Sequence, residues 1–206
     1  MADDTRRRNG PWTITRALTA YDNPWIAIDH CDVIHPDETP GIYGVVRFKN
    51  IAIGVLPLFD DGSVLLVGQH RFPLNRYSWE LPEGGAPLTE APMGAAAREL
   101  AEETGYRAAS WHPLAAFDVS NSVTDETAAC FLAWDLSDGA PAPEASEDLA
   151  RQRVPFQELL ARCLSGEIRD GLTIVMALSA QAKAERGDLP EPVARRILAA
   201  PSPNAR

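Results

Sequence analysis

The stretch that decides the fold of this chain runs from Gly84 to Tyr106 and reads GGAPLTEAPMGAAARELAEETGY. Its second half, from Ala95 to Glu103, consists mostly of strong helix formers. Gly105 follows where a helix would end, because glycine readily adopts the left-handed conformation of a helix C-cap. The sequence therefore predicts a helix here, with a glycine-rich segment before it.

Three carboxylates crowd one side of the predicted helix. Glu99 precedes Glu102 by three residues and Glu103 by four, which places these side chains about 5–6 Å apart. Like charges at this spacing destabilise an isolated helix by about 0.2–0.5 kcal/mol per pair. Arg98, the one cation nearby, is placed to pair with Glu102 at i,i+4. A hard divalent cation would relieve the remaining repulsion. A solvated acidic face is the usual alternative, but the glycine-rich segment favours a metal site.

The segment before the helix, Trp79 to Gly85 (WELPEGG), has an apolar strand end that runs into a proline and two glycines. We predict a turn here, because glycines let backbone groups approach a metal or a phosphate where side chains would obstruct them. An ordinary strand-to-helix turn would use the same residues, so the two interpretations are compatible.

The spacing of the whole stretch resembles the Nudix box, G-x5-E-x7-R-E-aliphatic-x-E-E-x-G-aliphatic. Every fixed position is filled from Gly84 onward, and the one departure is Tyr106, which replaces the final aliphatic residue. The resemblance implies a Nudix-type α/β/α sandwich around a mixed sheet, with extra N-terminal strands. It also implies metal-dependent hydrolysis of a diphosphate bond in a nucleoside diphosphate derivative.

The same resemblance assigns roles within the box. Two or three Mg²⁺ ions, with Mn²⁺ as the alternative metal, are expected on Glu99, Glu103 and Glu102, and on the backbone carbonyl of Glu83. Arg98 is expected to orient the glutamates. The role of the Glu83 carbonyl follows from the resemblance alone, whereas the helical spacing described above also indicates the carboxylate ligands.

Two flanking segments indicate the branch of the family. Arg71, in QHRFP, is similar in position to an arginine that contacts the diphosphate in ADP-ribose pyrophosphatases, although an arginine after a strand also suits a surface salt bridge. The loop SNSVTDE ends at Glu126, which becomes a candidate for orienting the attacking water or for binding a metal; Glu102 is the next candidate for the water. A solvated loop acid is the alternative for Glu126. Asn121 stands where that branch commonly has proline.

The leading substrate is therefore ADP-ribose, which would yield AMP and ribose 5-phosphate. Nucleotide sugars such as GDP-mannose, or dinucleoside diphosphates, remain alternatives within the hydrolases. A non-catalytic, ligand-sensing Nudix domain is a further alternative, but such domains usually carry an eroded box and a fused DNA-binding module.

The composition excludes several other classes. The net charge is −10, which argues against a nucleic-acid polymer as partner, because that affinity depends on a basic surface. No apolar run approaches the ~20 residues of a membrane span. The three cysteines form no metal-ligand spacing and no even disulfide set, and we expect a cytoplasmic protein.

We predict three regions: N-terminal strands at 1–50, a Nudix domain at 51–187 and a C-terminal tail at 188–206. By resemblance, the first region crosses to the other subunit of a homodimer and contributes Trp25 and Arg47 to its substrate site. Residues 137–148 read as a linker.

Two further helices are predicted after the linker, and both have end signals. The first spans Phe156 to Leu164 and closes at Gly166, and the second spans Gly171 to Arg186 with Asp170 as its cap. In the second helix, four residues are predicted to share one packing face: Leu172, Val175, Met176 and Ser179.

Overall fold

The computed structural model describes residues 7–139 and 149–199, so most of the predicted linker at 137–148 lies outside the described residues. Within these ranges the chain divides into two compact units. Residues 7–51 and 118–127 form the N-terminal unit, and residues 52–117, 128–139 and 149–199 form the larger unit. We use these two names below.

The N-terminal unit contains a four-stranded antiparallel sheet in the order β1-β2-β3-β4. Alternate residues of the strands point to one face, where Ile14, Cys31 and Val33 are buried. The β2–β3 turn forms because the Asn23 side chain accepts hydrogen bonds from the Ile26 and Trp25 amides, at 2.7 and 2.8 Å. The strands are β1 (Arg7–Asn9), β2 (Trp12–Asp22), β3 (Ile26–Ile34) and β4 (Pro40–Phe48).

Two sheets belong to the rest of the fold. One has the order β8-β5-β10-β9, with β5 and β10 parallel, and the other is antiparallel in the order β11-β6-β7. The nearly continuous apolar run of β5 is buried from Ile53 onward, as expected of a strand covered on both faces. The strands are β5 (Asn50–Pro57), β6 (Ser63–Arg71), β7 (Arg76–Glu80), β8 (Glu83–Pro87), β9 (Arg107–Asp118), β10 (Thr127–Ser137) and β11 (Ala150–Pro155).

Four helices complete the described structure, and local signals set their ends. Gly105, Gly166 and Gly187 each stand after a helix with φ of 82°, 78° and 75°, the left-handed conformation that glycine adopts without strain. Both helices predicted after the linker are confirmed, the first one residue longer than expected. The helices are α1 (Pro92–Thr104), α2 (Phe156–Ser165), α3 (Gly171–Arg186) and α4 (Glu191–Leu198).

The packing face of α3 differs from the prediction. Its buried residues are Thr173, Met176, Ala177, Ala180 and Ala184. Small side chains form this face because the helix packs closely: a Cβ on Gly54 of β5 would lie only 2.7 Å from the Met176 methyl group. Close approach, and not the size of the apolar residues, therefore selects the buried face of α3.

One hydrophobic core joins the sheets and helices of the larger unit. It contains Leu56 and Leu132 from the parallel pair of strands, with Phe156, Met176 and Ile197 from α2, α3 and α4. The predicted mixed α/β architecture with extra N-terminal strands is confirmed. Among the described residues, no helix has the length and apolar character needed to cross a membrane.

Candidate active site

The box helix α1 places its acids at two different depths. Glu103 is 1% exposed and Glu99 is 9% exposed, whereas the Glu102 side chain is 34% exposed. The last turn of α1 is tied to β11, because the Arg151 Nε donates to the Glu103 carbonyl oxygen at 2.6 Å. Glu99 and Glu103 are therefore the two buried acids of the box helix, with Glu102 at its edge.

Tyr106, the one departure from the box pattern, has a clear packing partner. Its ring meets that of Phe59 edge-on, with centroids 5.1 Å apart and planes at 89°. This geometry is favourable for aromatic pairs. An aromatic residue is thus accommodated where the family usually has an aliphatic one.

Gly84 and Gly85 lie in β8 and not in the turn that the sequence predicted. The turn comes later, at residues 88–90. The physical reason for glycine is a close approach: a Cβ on Gly84 would overlap the carboxylate of Glu99. The absence of a side chain at Gly84 therefore lets an acid of the helix lie directly against the neighbouring strand.

The backbone at the start of β8 also contacts the second buried acid. The Glu83 amide donates to the Glu103 Oε2 at 3.1 Å. This brings the residue expected to offer a carbonyl ligand next to a predicted carboxylate ligand. The donor set here consists of carboxylate and backbone oxygens, which are the ligands that Mg²⁺ prefers.

Arg98 holds the remaining acids of the box. Its Nη1 donates to Glu99 at 2.7 Å and to Glu102 at 3.0 Å, and its Nη2 donates to Glu90 and to the Gly85 carbonyl oxygen, both at 3.0 Å. The predicted Arg98–Glu102 pair is therefore present. The hydrogen bond to Glu90 is the main cause that raises the pKa of Arg98 above its ordinary value. This geometry suits a residue that orients metal ligands.

A second group of carboxylates combines residues at the end of β7 and the start of β8 with a residue just before α3. Glu80, Glu83 and Asp170 each offer an oxygen, and these oxygens lie within 4.8 Å of one another. Sequence reasoning gave Glu80 no role, and it treated Asp170 only as a helix cap. Asp170 does cap α3, through a 2.7 Å hydrogen bond from the Thr173 amide.

Arg71 is the cation within this second group. Its Nε donates to both carboxylate oxygens of Glu80, at 3.0 and 3.1 Å, and its Nη2 donates to Glu83. The side chain is 32% exposed, so the pair is not the fully exposed salt bridge considered from the sequence. Contact between Arg71 and a diphosphate stays a prediction.

Burial and neighbouring charges shift the pKa values of Glu83 and Arg71 in the second group. Burial raises the pKa of Glu83 well above its ordinary value; the charges of Asp170 and Glu80 add to this effect and Arg71 opposes it. For Arg71, burial lowers the pKa, but hydrogen bonds and charges from Glu80 and Glu83 outweigh burial and raise it. Three carboxyl groups therefore share the Arg71 guanidinium in this group.

The other predicted site residues belong to the N-terminal unit. Glu126 ends the loop after β9, and partial burial raises its pKa. Trp25 is 66% exposed at the start of β3. Arg47 donates to Asp29 at 3.1 Å and to Asp125 at 3.2 Å. The structure thus places Glu126, Trp25 and Arg47 on one unit and the box acids on the other.

Comparisons with known proteins identify what this chain is similar to. The model of the NUDIX domain matches residues 48–172. An ADP-ribose pyrophosphatase of Mycobacterium tuberculosis is 32% identical over 145 residues, which cover 69% of this chain and 70% of the relative. The ADP-sugar pyrophosphatase of Mus musculus is 31% identical over 176 residues, which cover 78% of this chain and 81% of the relative.

Two further proteins, one found by sequence and one by structure, are also similar to this chain. An ADP-ribose pyrophosphatase of Bacillus subtilis is 36% identical over 124 residues, covering 59% of this chain and 67% of the relative. A solved structure described as an ADP compounds hydrolase matches with a TM-score of 0.78, covering 88% of this chain and 98% of that one. At 17% identity, this last match concerns the fold alone.

Proposed function

This chain belongs to the Nudix family and is a Nudix hydrolase, and from that premise we propose that it acts on ADP-ribose, which it splits into AMP and ribose 5-phosphate. The observation that carries this proposal is that the two buried acids of the box helix, Glu99 and Glu103, pack against the side-chain-free Gly84 and the Glu83 amide. The relatives named as ADP-ribose pyrophosphatases support the choice of substrate.

The residues present fit a divalent metal, with Mg²⁺ proposed first and Mn²⁺ second. Glu99 and Glu103 supply hard oxygen donors, Glu83 adds a backbone carbonyl, and Glu102 extends the set toward solvent. A bound Mg²⁺ would neutralise the diphosphate and lower the pKa of a bound water. Arg98 fixes the orientation of Glu99 and Glu102 through its two hydrogen bonds to them.

Residues other than the metal ligands activate the attacking water and contact the diphosphate. Glu126 accepts a proton from the attacking water, or orients it, and Glu102 is the second candidate for this role. Arg71 contacts the diphosphate, which requires its guanidinium to exchange part of its present contact with Glu80 and Glu83 for phosphate oxygens.

We also propose that the enzyme is a homodimer in which the N-terminal unit completes the substrate site of the partner. Three exposed apolar side chains on this unit support the proposal, because two of them are aromatic, the side-chain type that is enriched at protein–protein interfaces. Ile42 is 69% exposed, Trp25 is 66% exposed and Tyr21 is 52% exposed. In this arrangement Trp25 and Arg47 contact the substrate bound by the other subunit.

A nucleotide sugar is the second candidate substrate. Asn121 replaces the proline common in the loop of ADP-ribose pyrophosphatases, and a relative named as an ADP-sugar pyrophosphatase aligns over 78% of this chain. The intact box disfavours a ligand-sensing domain without catalysis. ADP-ribose and a nucleotide sugar would be cleaved by the same type of reaction, and the two candidates differ in the base and the sugar of the substrate.

A substrate panel tests the proposal. ADP-ribose, ADP-glucose, GDP-mannose and a dinucleoside diphosphate are incubated with the enzyme in Mg²⁺ and in excess EDTA, and products are separated by chromatography. We expect AMP and ribose 5-phosphate from ADP-ribose in Mg²⁺ and no product in EDTA. Much faster cleavage of a sugar nucleotide would favour the second candidate. No cleavage of any panel member would contradict both.

A further inference from the structure

Helix α3 reaches the active site from outside the box through Thr173. This residue is 0% exposed, and its hydroxyl oxygen accepts a hydrogen bond from the Leu81 amide at 2.9 Å. The Asp170 carboxylate holds the Thr173 amide at 2.7 Å and so fixes the first turn of the helix. Thr173 is thus a rigid acceptor, 92 residues along the chain from the amide that it binds.

The segment Leu81–Glu83 is fixed at each of its three residues. The Leu81 amide donates to Thr173, the Pro82 carbonyl accepts from the Val55 amide at 2.9 Å, and the Glu83 amide donates to Glu103 at 3.1 Å. Because proline has no amide proton, only the first and third residues can donate. The Pro82 carbonyl and the Glu83 amide belong to one planar peptide unit, so the hydrogen bonds of Leu81 and Val55 together determine where the Glu83 amide meets the carboxylate.

We propose that Thr173 is a positioning residue for the metal ligand Glu103, and that it acts through Leu81 and Glu83. Leu81 is fully buried, and a buried amide that loses its acceptor must move or gain water. Such a shift would carry the Glu83 amide away from Glu103 and loosen the carboxylate. It would also move the Glu83 carbonyl, the expected backbone ligand. This inference depends on the metal site of the proposed function.

The experiment measures Mn²⁺ binding by electron paramagnetic resonance, without substrate, together with thermal unfolding. Thr173→Val keeps the side-chain volume but removes the acceptor, and Thr173→Ser keeps the hydroxyl. Thr173→Cys offers only a weak acceptor and serves as the test if the valine variant does not fold. Ala180→Gly is the control, because it weakens the same helix about two turns beyond Thr173.

We expect Thr173→Val, or Thr173→Cys, to raise the Mn²⁺ dissociation constant by about 10-fold or more, as is common when a partner of a metal ligand is removed. Thr173→Ser should bind Mn²⁺ as the wild type does. Ala180→Gly should lower the unfolding temperature and leave Mn²⁺ binding unchanged. Wild-type binding by the valine variant, or equal weakening in Ala180→Gly, would overturn the inference.

Glu103→Gln is measured in parallel to separate two failures. If Glu103→Gln loses Mn²⁺ while Thr173→Val retains it, the metal site stands and the positioning role is wrong. If Glu103→Gln binds Mn²⁺ like the wild type, the assignment of the metal site itself is wrong.

Discussion

The carboxylate of Glu99 occupies the space that a Cβ would fill at Gly84. Glu99 belongs to the box helix and Gly84 to the edge strand β8, so this contact joins the two halves of the box. The motif therefore needs glycine at this position in this chain because any side chain there would overlap the Glu99 carboxylate. The backbone of Gly84 is extended in a strand, and a positive φ is not what demands glycine there.

Gly84→Ala should disable the site without unfolding the protein. The added Cβ displaces the Glu99 carboxylate, and we expect metal affinity and kcat/KM to fall about 10–100-fold. Gly94→Ala in the same box is the matched control, because a Cβ there meets nothing within 4 Å. It should retain activity and gain up to about 1 kcal/mol of stability. Equal activity of the two variants would show that the contact has no functional role.

Arg98→Lys should weaken the site although the charge is kept. Lysine is a point donor and cannot reproduce the forked contacts with Glu90, Glu99 and Glu102. We expect Mn²⁺ affinity and kcat to fall together, by about 10-fold or more. Arg195→Lys on α4, which disturbs only an exposed pair with Glu191, should change neither. An unaltered Mn²⁺ titration for Arg98→Lys would remove its orienting role.

Glu126→Gln should lower kcat and kcat/KM by about 10²–10⁴-fold and leave KM nearly unchanged, as loss of a general base does. The exposed Asp118, at the start of the same loop, provides the control Asp118→Asn, which should keep wild-type kcat. Full kcat in Glu126→Gln would transfer the role to Glu102.

The pH profile of the wild type gives a separate test of Glu126. Burial raises the pKa of this carboxyl above its ordinary value of 4.5. A base must be unprotonated, so activity falls as the pH falls through the raised pKa. This acidic limb should begin above the ordinary range of glutamate, and it should disappear from the residual activity of Glu126→Gln. A limb that is unchanged in the variant would belong to another group.

Light scattering tests the proposed dimer at micromolar concentration. We expect twice the chain mass of 22.4 kDa, with the exposed Trp25 and Ile42 of the N-terminal unit buried in the interface. Ile42→Glu should shift the mass toward the monomer. Glu38→Gln, on the loop before β4, should not. A monomer mass for the wild type would refute the dimer.

Local signals were sufficient to predict the helix ends. Gly105 ends α1 and Asp170 caps α3, as the sequence indicated, because each depends on residues within one turn. The Arg98–Glu102 pair follows from the helical period in the same way. Features that depend only on residues of one helix, such as its ends and its i,i+4 pairs, can therefore be predicted from the sequence alone.

Contacts between distant elements could not be predicted in this way. The turn expected at Gly84 and Gly85 is a strand, because pairing in the sheet with β5 decides its conformation. The convergence of Glu80, Glu83 and Asp170 depends on how α3 meets the end of β7. The packing face of α3 was predicted only in part for the same reason: Met176 is buried and Leu172 packs against the core as expected, but Thr173 and three alanines complete the buried face.

The most direct test of the central claim is the Mg²⁺ dependence of ADP-ribose hydrolysis, measured for the wild type and for Glu103→Gln. The glutamine keeps the shape of Glu103 but lacks the charge that a hard cation needs. We predict that the wild type requires Mg²⁺ and that turnover by Glu103→Gln falls by about 100-fold or more at any Mg²⁺ concentration. Near-wild-type turnover by the variant, or full activity of the wild type in excess EDTA, would contradict the account.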